Sequence, residues 1–115
     1  MTMHVIDTAR GCNAAAIAVR VARREKDGWV QVKSARLTDS GRTDPPLLPR
    51  GEFVPGEYEF TLDAPEYFAR VHLATYERPA YVGEVILRLH LVDGSAHYHV
   101  PVALSPWGYT TFRGG

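Results

Sequence analysis

Apolar residues recur at every second position in short runs along this chain. From Ala14 to Val21, Ile17, Val19 and Val21 are set against Ala16, Ala18 and Arg20, the period of a half-buried strand. Lys26-Asp27-Gly28 supplies a turn. Trp29 to Leu37 then reads as the returning strand of a hairpin, closed by Thr38-Asp39-Ser40-Gly41. Tyr58, Phe60 and Leu62 alternate again. The last third is the clearest. Val82 to Val92 places Leu87, Leu89 and Leu91 on one face and Ile86, Arg88, His90 and Val92 on the other. His97 to Leu104 places Tyr98, Val100, Val102 and Leu104 opposite His97, His99, Pro101 and Ala103. Asp93-Gly94 between these runs predicts a tight hairpin turn, which would set His90 across from His99 and gather three histidines and Arg88 on one side.

Between the strands, residues 44–56 hold four prolines and two glycines and predict a loop with at most short edge pairing. Ala64-Pro65-Glu66-Tyr67-Phe68-Ala69-Arg70 has a proline near a helix start and an acid in the first turn, so one short helix is expected there. Many short strands with one brief helix predict an all-β antiparallel sandwich, and 115 residues fit a single domain over 1–115.

Composition narrows the function. Thirteen basic residues balance thirteen acidic ones, so there is no positive field to gather phosphates, and neither nucleic acid nor a membrane surface is expected as a partner. The opening Met1-Thr2-Met3-His4-Val5-Ile6-Asp7 lacks the charged and apolar blocks of a secretory signal, and no apolar run approaches the roughly 18 to 20 residues that span a bilayer. A cytoplasmic location is the expectation. The single cysteine, Cys12, is expected to be an unreactive packed residue, because the local sequence supplies no charged partner to activate it. His97 and His99 as alternating strand residues read by default as surface polar positions. With His90 across the predicted hairpin they could also hold zinc, provided all three converge at roughly 2 Å from one ion.

Three segments carry a resemblance. His4-Val5-Ile6-Asp7-Thr8-Ala9-Arg10-Gly11, the turn Gly41-Arg42-Thr43-Asp44, and the stretch from His97-Tyr98-His99-Val100-Pro101 through Leu104-Ser105-Pro106-Trp107-Gly108-Tyr109-Thr110-Thr111-Phe112-Arg113-Gly114-Gly115 resemble the 5-hydroxyisourate hydrolases of the transthyretin-like family. The resemblance implies a transthyretin-like sandwich assembled as a homotetramer, a dimer of dimers with active sites in the cleft between dimers. It implies cofactor-free, metal-free hydrolysis of a small molecule, 5-hydroxyisourate, to a ring-opened carboxylate. By the same resemblance, His4, Arg42 and His99 would be catalytic, and Phe112, Arg113, Gly114 and Gly115 would bind substrate.

The residue chemistry is compatible with that implication. Imidazole titrates nearest neutrality, so His4 or His99 is suited to take a proton from water attacking a ring carbonyl, and the sequence does not say which. Arg42 and Arg113 offer planar donor forks for substrate oxygens and for the charge that develops on the attacked carbonyl. The chain departs from the family's pattern at its end, where Phe112-Arg113-Gly114-Gly115 replaces the usual Tyr-Arg-Gly-Ser. Cys12-Asn13 stands where Arg-Pro is common, and His90 is unexpected. These departures keep two alternatives in view: a relative acting on another cyclic amide or imide, and a non-catalytic small-molecule binder.

Overall fold

The computed structural model describes residues 1–71 and 77–115. In chain order the elements are β1 (Thr2–Asp7), β2 (Cys12–Asn13), β3 (Ala18–Glu25), β4 (Gly28–Arg36), β5 (Gly56–Leu62), α1 (Ala64–Val71), β6 (Val85–Leu91), β7 (His99–Ser105) and β8 (Gly108–Thr111). They form two four-stranded sheets, ordered β2-β1-β7-β8 and β4-β3-β5-β6. The predicted sandwich with one short helix is what forms. Its strand pairs are antiparallel except that β1 lies parallel to β7, with Thr2 opposite His99 and His4 opposite Pro101.

Side-chain alternation builds the core. Met3 and Val5 of β1, Val100, Val102 and Leu104 of β7, Val19 and Val21 of β3, Tyr58, Phe60 and Leu62 of β5, and Val85, Leu87 and Leu91 of β6 all point inward and are buried. Each such side chain contributes on the order of 1.5–3 kcal/mol, so register is fixed: a one-residue slip would expose a whole row. Positions between them, including His4 and His99, are left on the outer face.

Element boundaries depart from the alternation for local reasons. The strand expected from Ala14 begins at Ala18, because Ala16 adopts φ 58° and turns the chain, and it runs on to Glu25. The run expected from Val82 starts at Val85 and stops at Leu91. The helix agrees with expectation: Asp63 caps it, accepting the Glu66 backbone N–H at 3.2 Å. Cys12, expected to be packed, is exposed on β2.

The predicted tight hairpin between the last two long runs does not form. β6 pairs with β5, setting His90 against Glu57, while β7 lies in the other sheet between β1 and β8. Residues 92–98 cross from one sheet to the other. Their path is held by the Gly51 N–H on the Gly94 carbonyl at 2.6 Å and by the Asp93 N–H on the Tyr98 hydroxyl at 3.1 Å. His90 and His99 therefore occupy different sheets, and Arg88 joins Glu59 on β5 at 2.9 Å. The grouping of His90, His97 and His99 that zinc would need is not made.

The outer edge of β1 is closed by chain from elsewhere. Val5 donates to the Gly41 carbonyl at 2.8 Å and accepts from Ala14 at 2.9 Å, and Thr43 donates to the Met3 carbonyl at 3.2 Å. This approach needs glycine at 41, where φ is +71° and a Cβ would sit 2.5 Å from the Val5 carbonyl oxygen. Gly41→Ala is expected to destabilise the fold by about 3 kcal/mol in urea titration, combining left-handed strain with backbone overlap. Gly11→Ala has φ +70° but open space around its Cβ. It should cost only about 1 kcal/mol, and equal losses for the two would contradict the close-approach account.

Candidate active site

The outer face of the β2-β1-β7-β8 sheet brings together side chains far apart in sequence. On β1, alternation sends Thr2 and His4 outward, and the parallel register with β7 sets His99 beside Thr2 and Pro101 beside His4. The two imidazoles are thus diagonal neighbours on one surface. Arg42 arrives from the segment that closes the free edge of β1, where it forms an antiparallel bridge with His4. Predicted residues His4, Arg42 and His99 meet on this face.

Each imidazole has a partner that alternation alone could not name. His99 Nδ1 lies 2.8 Å from Thr2 Oγ1, and His4 Nε2 lies 2.9 Å from Asn13 Oδ1. Thr2 and Asn13 are ordinary polar residues in the sequence, and only the strand register shows what they touch. Both contacts occupy one ring nitrogen and leave the other for a ligand. His99 is half-buried and its pKa is held below the usual imidazole value, first by burial and then by the positive charges of Arg42, His97 and His4. The His97 ring lies parallel to that of His99, with centroids 6.5 Å apart.

The C-terminal tail divides between two places. Gly114 donates its N–H to the His99 carbonyl at 2.7 Å. A Cβ there would come within 2.9 Å of the His99 ring and 3.2 Å of Pro101, so a side chain would push the tail off the imidazole. Gly115 is exposed with open space around it. Arg113 points elsewhere: its guanidinium lies 4.5 Å over the Tyr98 ring and reaches the His97 carbonyl at 3.5 Å. With exposed Phe112 it lines a cleft at the sandwich edge, walled by Leu89, Leu91 and Val100. Of the four tail residues, Gly114 meets the histidine face directly, whereas Phe112 and Arg113 line the cleft between the sheets.

A second buried polar contact supports the same region. Asp7 is fully buried and accepts the Tyr67 hydroxyl at 2.8 Å and the N–H groups of Ala9 and Arg10 at 3.0 and 2.9 Å. Burial, followed by the Asp7 hydrogen bond, pushes the Tyr67 phenol pKa up, so it stays a donor. The turn between β1 and β2 is thereby fixed to the helix. Among the described residues no group of three His, Cys, Asp or Glu side chains is arranged to hold a metal ion, and no helix is long and apolar enough to cross a membrane.

The chain is similar to known proteins over nearly its whole length. The chain is 41% identical over 114 residues to a 5-hydroxyisourate hydrolase of Deinococcus radiodurans, covering 99% of this chain and 94% of that protein. It is 37% identical to 5-hydroxyisourate hydrolase 2 of Rhizobium meliloti over the same shares of the two chains. Among solved structures it matches (S)-allantoin synthase with a TM-score of 0.89 and 33% identity, covering 99% of this chain and 42% of that one. It matches transthyretin from Sparus aurata with a TM-score of 0.77 and 26% identity, covering 97% of this chain and 93% of that one. Residues 1–114 match the HIUase/Transthyretin family. The chain belongs to the HIUase/Transthyretin family.

Proposed function

We propose that this protein hydrolyses 5-hydroxyisourate, opening its ring to 2-oxo-4-hydroxy-4-carboxy-5-ureidoimidazoline in urate breakdown. The observation that carries the reading is the convergence of His4, Arg42 and His99 on one sheet face, with His99 biased toward its neutral, proton-accepting form. The names of relatives similar over the whole chain support the same reaction.

In the proposed chemistry a neutral imidazole takes a proton from water as its oxygen adds to the ring carbonyl carbon. The carbon–nitrogen bond then breaks, the departing nitrogen receives a proton, and a carboxylate is left. Arg42 is placed to stabilise the oxyanion, a role worth about 10²- to 10³-fold in rate when one donor is lost. Gly114 keeps the tail against His99, and Arg113, Phe112 and Gly115 form the flank of the substrate site. The chemistry needs no cofactor.

Such an open face excludes water poorly, and we infer that association into a homotetramer, a dimer of dimers in the cytoplasm, closes it. Ile6, exposed on the same outward row of β1 as His4, supports that inference, since apolar surface left open beside a site is characteristic of interfaces. A related hydrolase acting on another cyclic amide or imide is the second reading, favoured by Gly115, which offers no hydroxyl to substrate.

His99→Ala is expected to lower kcat/KM on fresh 5-hydroxyisourate by roughly 10²- to 10⁴-fold with the fold intact by circular dichroism. Equal rates for both proteins would remove His99 from the mechanism. A base with a lowered pKa stays neutral until the pH drops through its own value, so the acid limb of the kcat/KM profile should lie below about pH 6.5. Sedimentation at micromolar concentration is expected to give a tetramer, and a stable monomer would leave the site open to solvent.

A further inference from the structure

We propose that Asn13 is a positioning residue for His4: its amide oxygen accepts the Nε2–H and fixes the ring in the tautomer whose Nδ1 bears the lone pair. This inference rests on the hydrolytic reading for its purpose, but the contact exists independently of turnover.

The geometry follows from the register. Asn13 pairs with Ile6, and His4 lies two residues back on the same outward row of β1, the diagonal at which side chains of adjacent strands meet. The contact measures 2.9 Å from His4 Nε2 to Asn13 Oδ1. A carbonyl oxygen only accepts, so Nε2 must carry the ring proton. His4 Nδ1 makes no hydrogen bond among the described residues.

The backbone around Asn13 is held on both sides. Before it, the Asp7 carboxylate accepts two N–H groups of the turn, and the Asp7 carbonyl accepts Gly11 at 2.9 Å. After it, buried Ala14 donates to Val5 at 2.9 Å. The amide is therefore delivered to His4 by a fixed frame.

The neighbours explain why a neutral partner matters. His4 faces Arg42 from the segment beside β1 and His99 from β7, with His97 just ahead of that strand. From β2 the facing group is the uncharged Asn13 amide, since Cys12 is paired opposite Asp7. A carboxylate at position 13 would favour a charged His4 and remove it as a proton acceptor. An amide orients the ring without placing a charge beside it. His99 is the complement, with Nδ1 occupied by Thr2.

Two-bond proton–nitrogen NMR spectra of the uniformly ¹⁵N-labelled full chain test this, with His4 assigned by comparison with His4→Ala. Above the titration range, wild type is expected to show His4 wholly in the Nε2–H form with slowed exchange of that proton. Asn13→Asp should keep the tautomer and move the His4 NMR titration upward by about 0.5 to 1 pH unit. Asn13→Leu should abolish the slowed exchange and lower kcat about tenfold without moving the acid limb. His4 in the Nδ1–H form, or the same His4 titration and proton exchange in all three proteins, would overturn the proposal. Equal turnover by wild type and His4→Ala, with the NMR contact present, would instead sink the catalytic reading of His4 and leave the contact standing.

Discussion

Everything at the candidate site depends on β1 being hydrogen-bonded along both edges. On one side it lies parallel to β7, a pairing that joins the two ends of the chain and puts His99 next to Thr2. On the other side β2 and residues 41–43 fill the remaining donors and acceptors, delivering Asn13 and Arg42. A strand paired on one edge only would leave backbone groups exposed and its side chains free to twist. Here the outward row is held between two fixed neighbours, so the imidazoles are oriented before any ligand arrives.

That closed strand converts burial into electrostatics. The same alternation that sinks Met3 and Val5 into the core leaves Thr2 and His4 outside, with three further positive or protonatable groups nearby. Among the described residues no carboxylate hydrogen-bonds or ion-pairs with His4 or His99, whose partners are the Asn13 amide and the Thr2 hydroxyl. Burial and its cationic neighbours bias the His99 imidazole toward its neutral form, the state needed to accept a proton. Asp7, the one fully buried carboxylate among the described residues, is used instead to tie the β1–β2 turn to the helix through Tyr67.

The departures from the family pattern acquire distinct physical meanings once the chain is folded. Asn13 provides an acceptor to His4 where a proline could not, whereas Gly115 has open space around it and removes a hydroxyl. His90, out of place on a supposed hairpin, belongs to the opposite sheet beside Glu57, 3.9 Å away, and has no part in the histidine face. Arg113 lies over the Tyr98 ring, and Phe112 lines the same cleft at the edge between the sheets.

The sequence by itself determined which residues turn inward. Alternation at Tyr58, Phe60 and Leu62, and at Tyr98, Val100, Val102 and Leu104, is a local property of extended backbone and is legible without knowing any partner. The short helix was equally local, written in Pro65 and Glu66, with the Asp63 cap seen only in the structure. His4, Arg42 and His99 were legible only through resemblance, since nothing near them in the chain marks them. What tertiary structure alone decided was pairing: that residues 92–98 cross between sheets instead of turning back, that β1 joins β7, and that Thr2 and Asn13 meet the imidazoles. Periodicity specifies a strand's faces but not its edges, because backbone hydrogen bonds are the same for every sequence. The choice of neighbour is made by long-range packing and by close approaches such as that at Gly41.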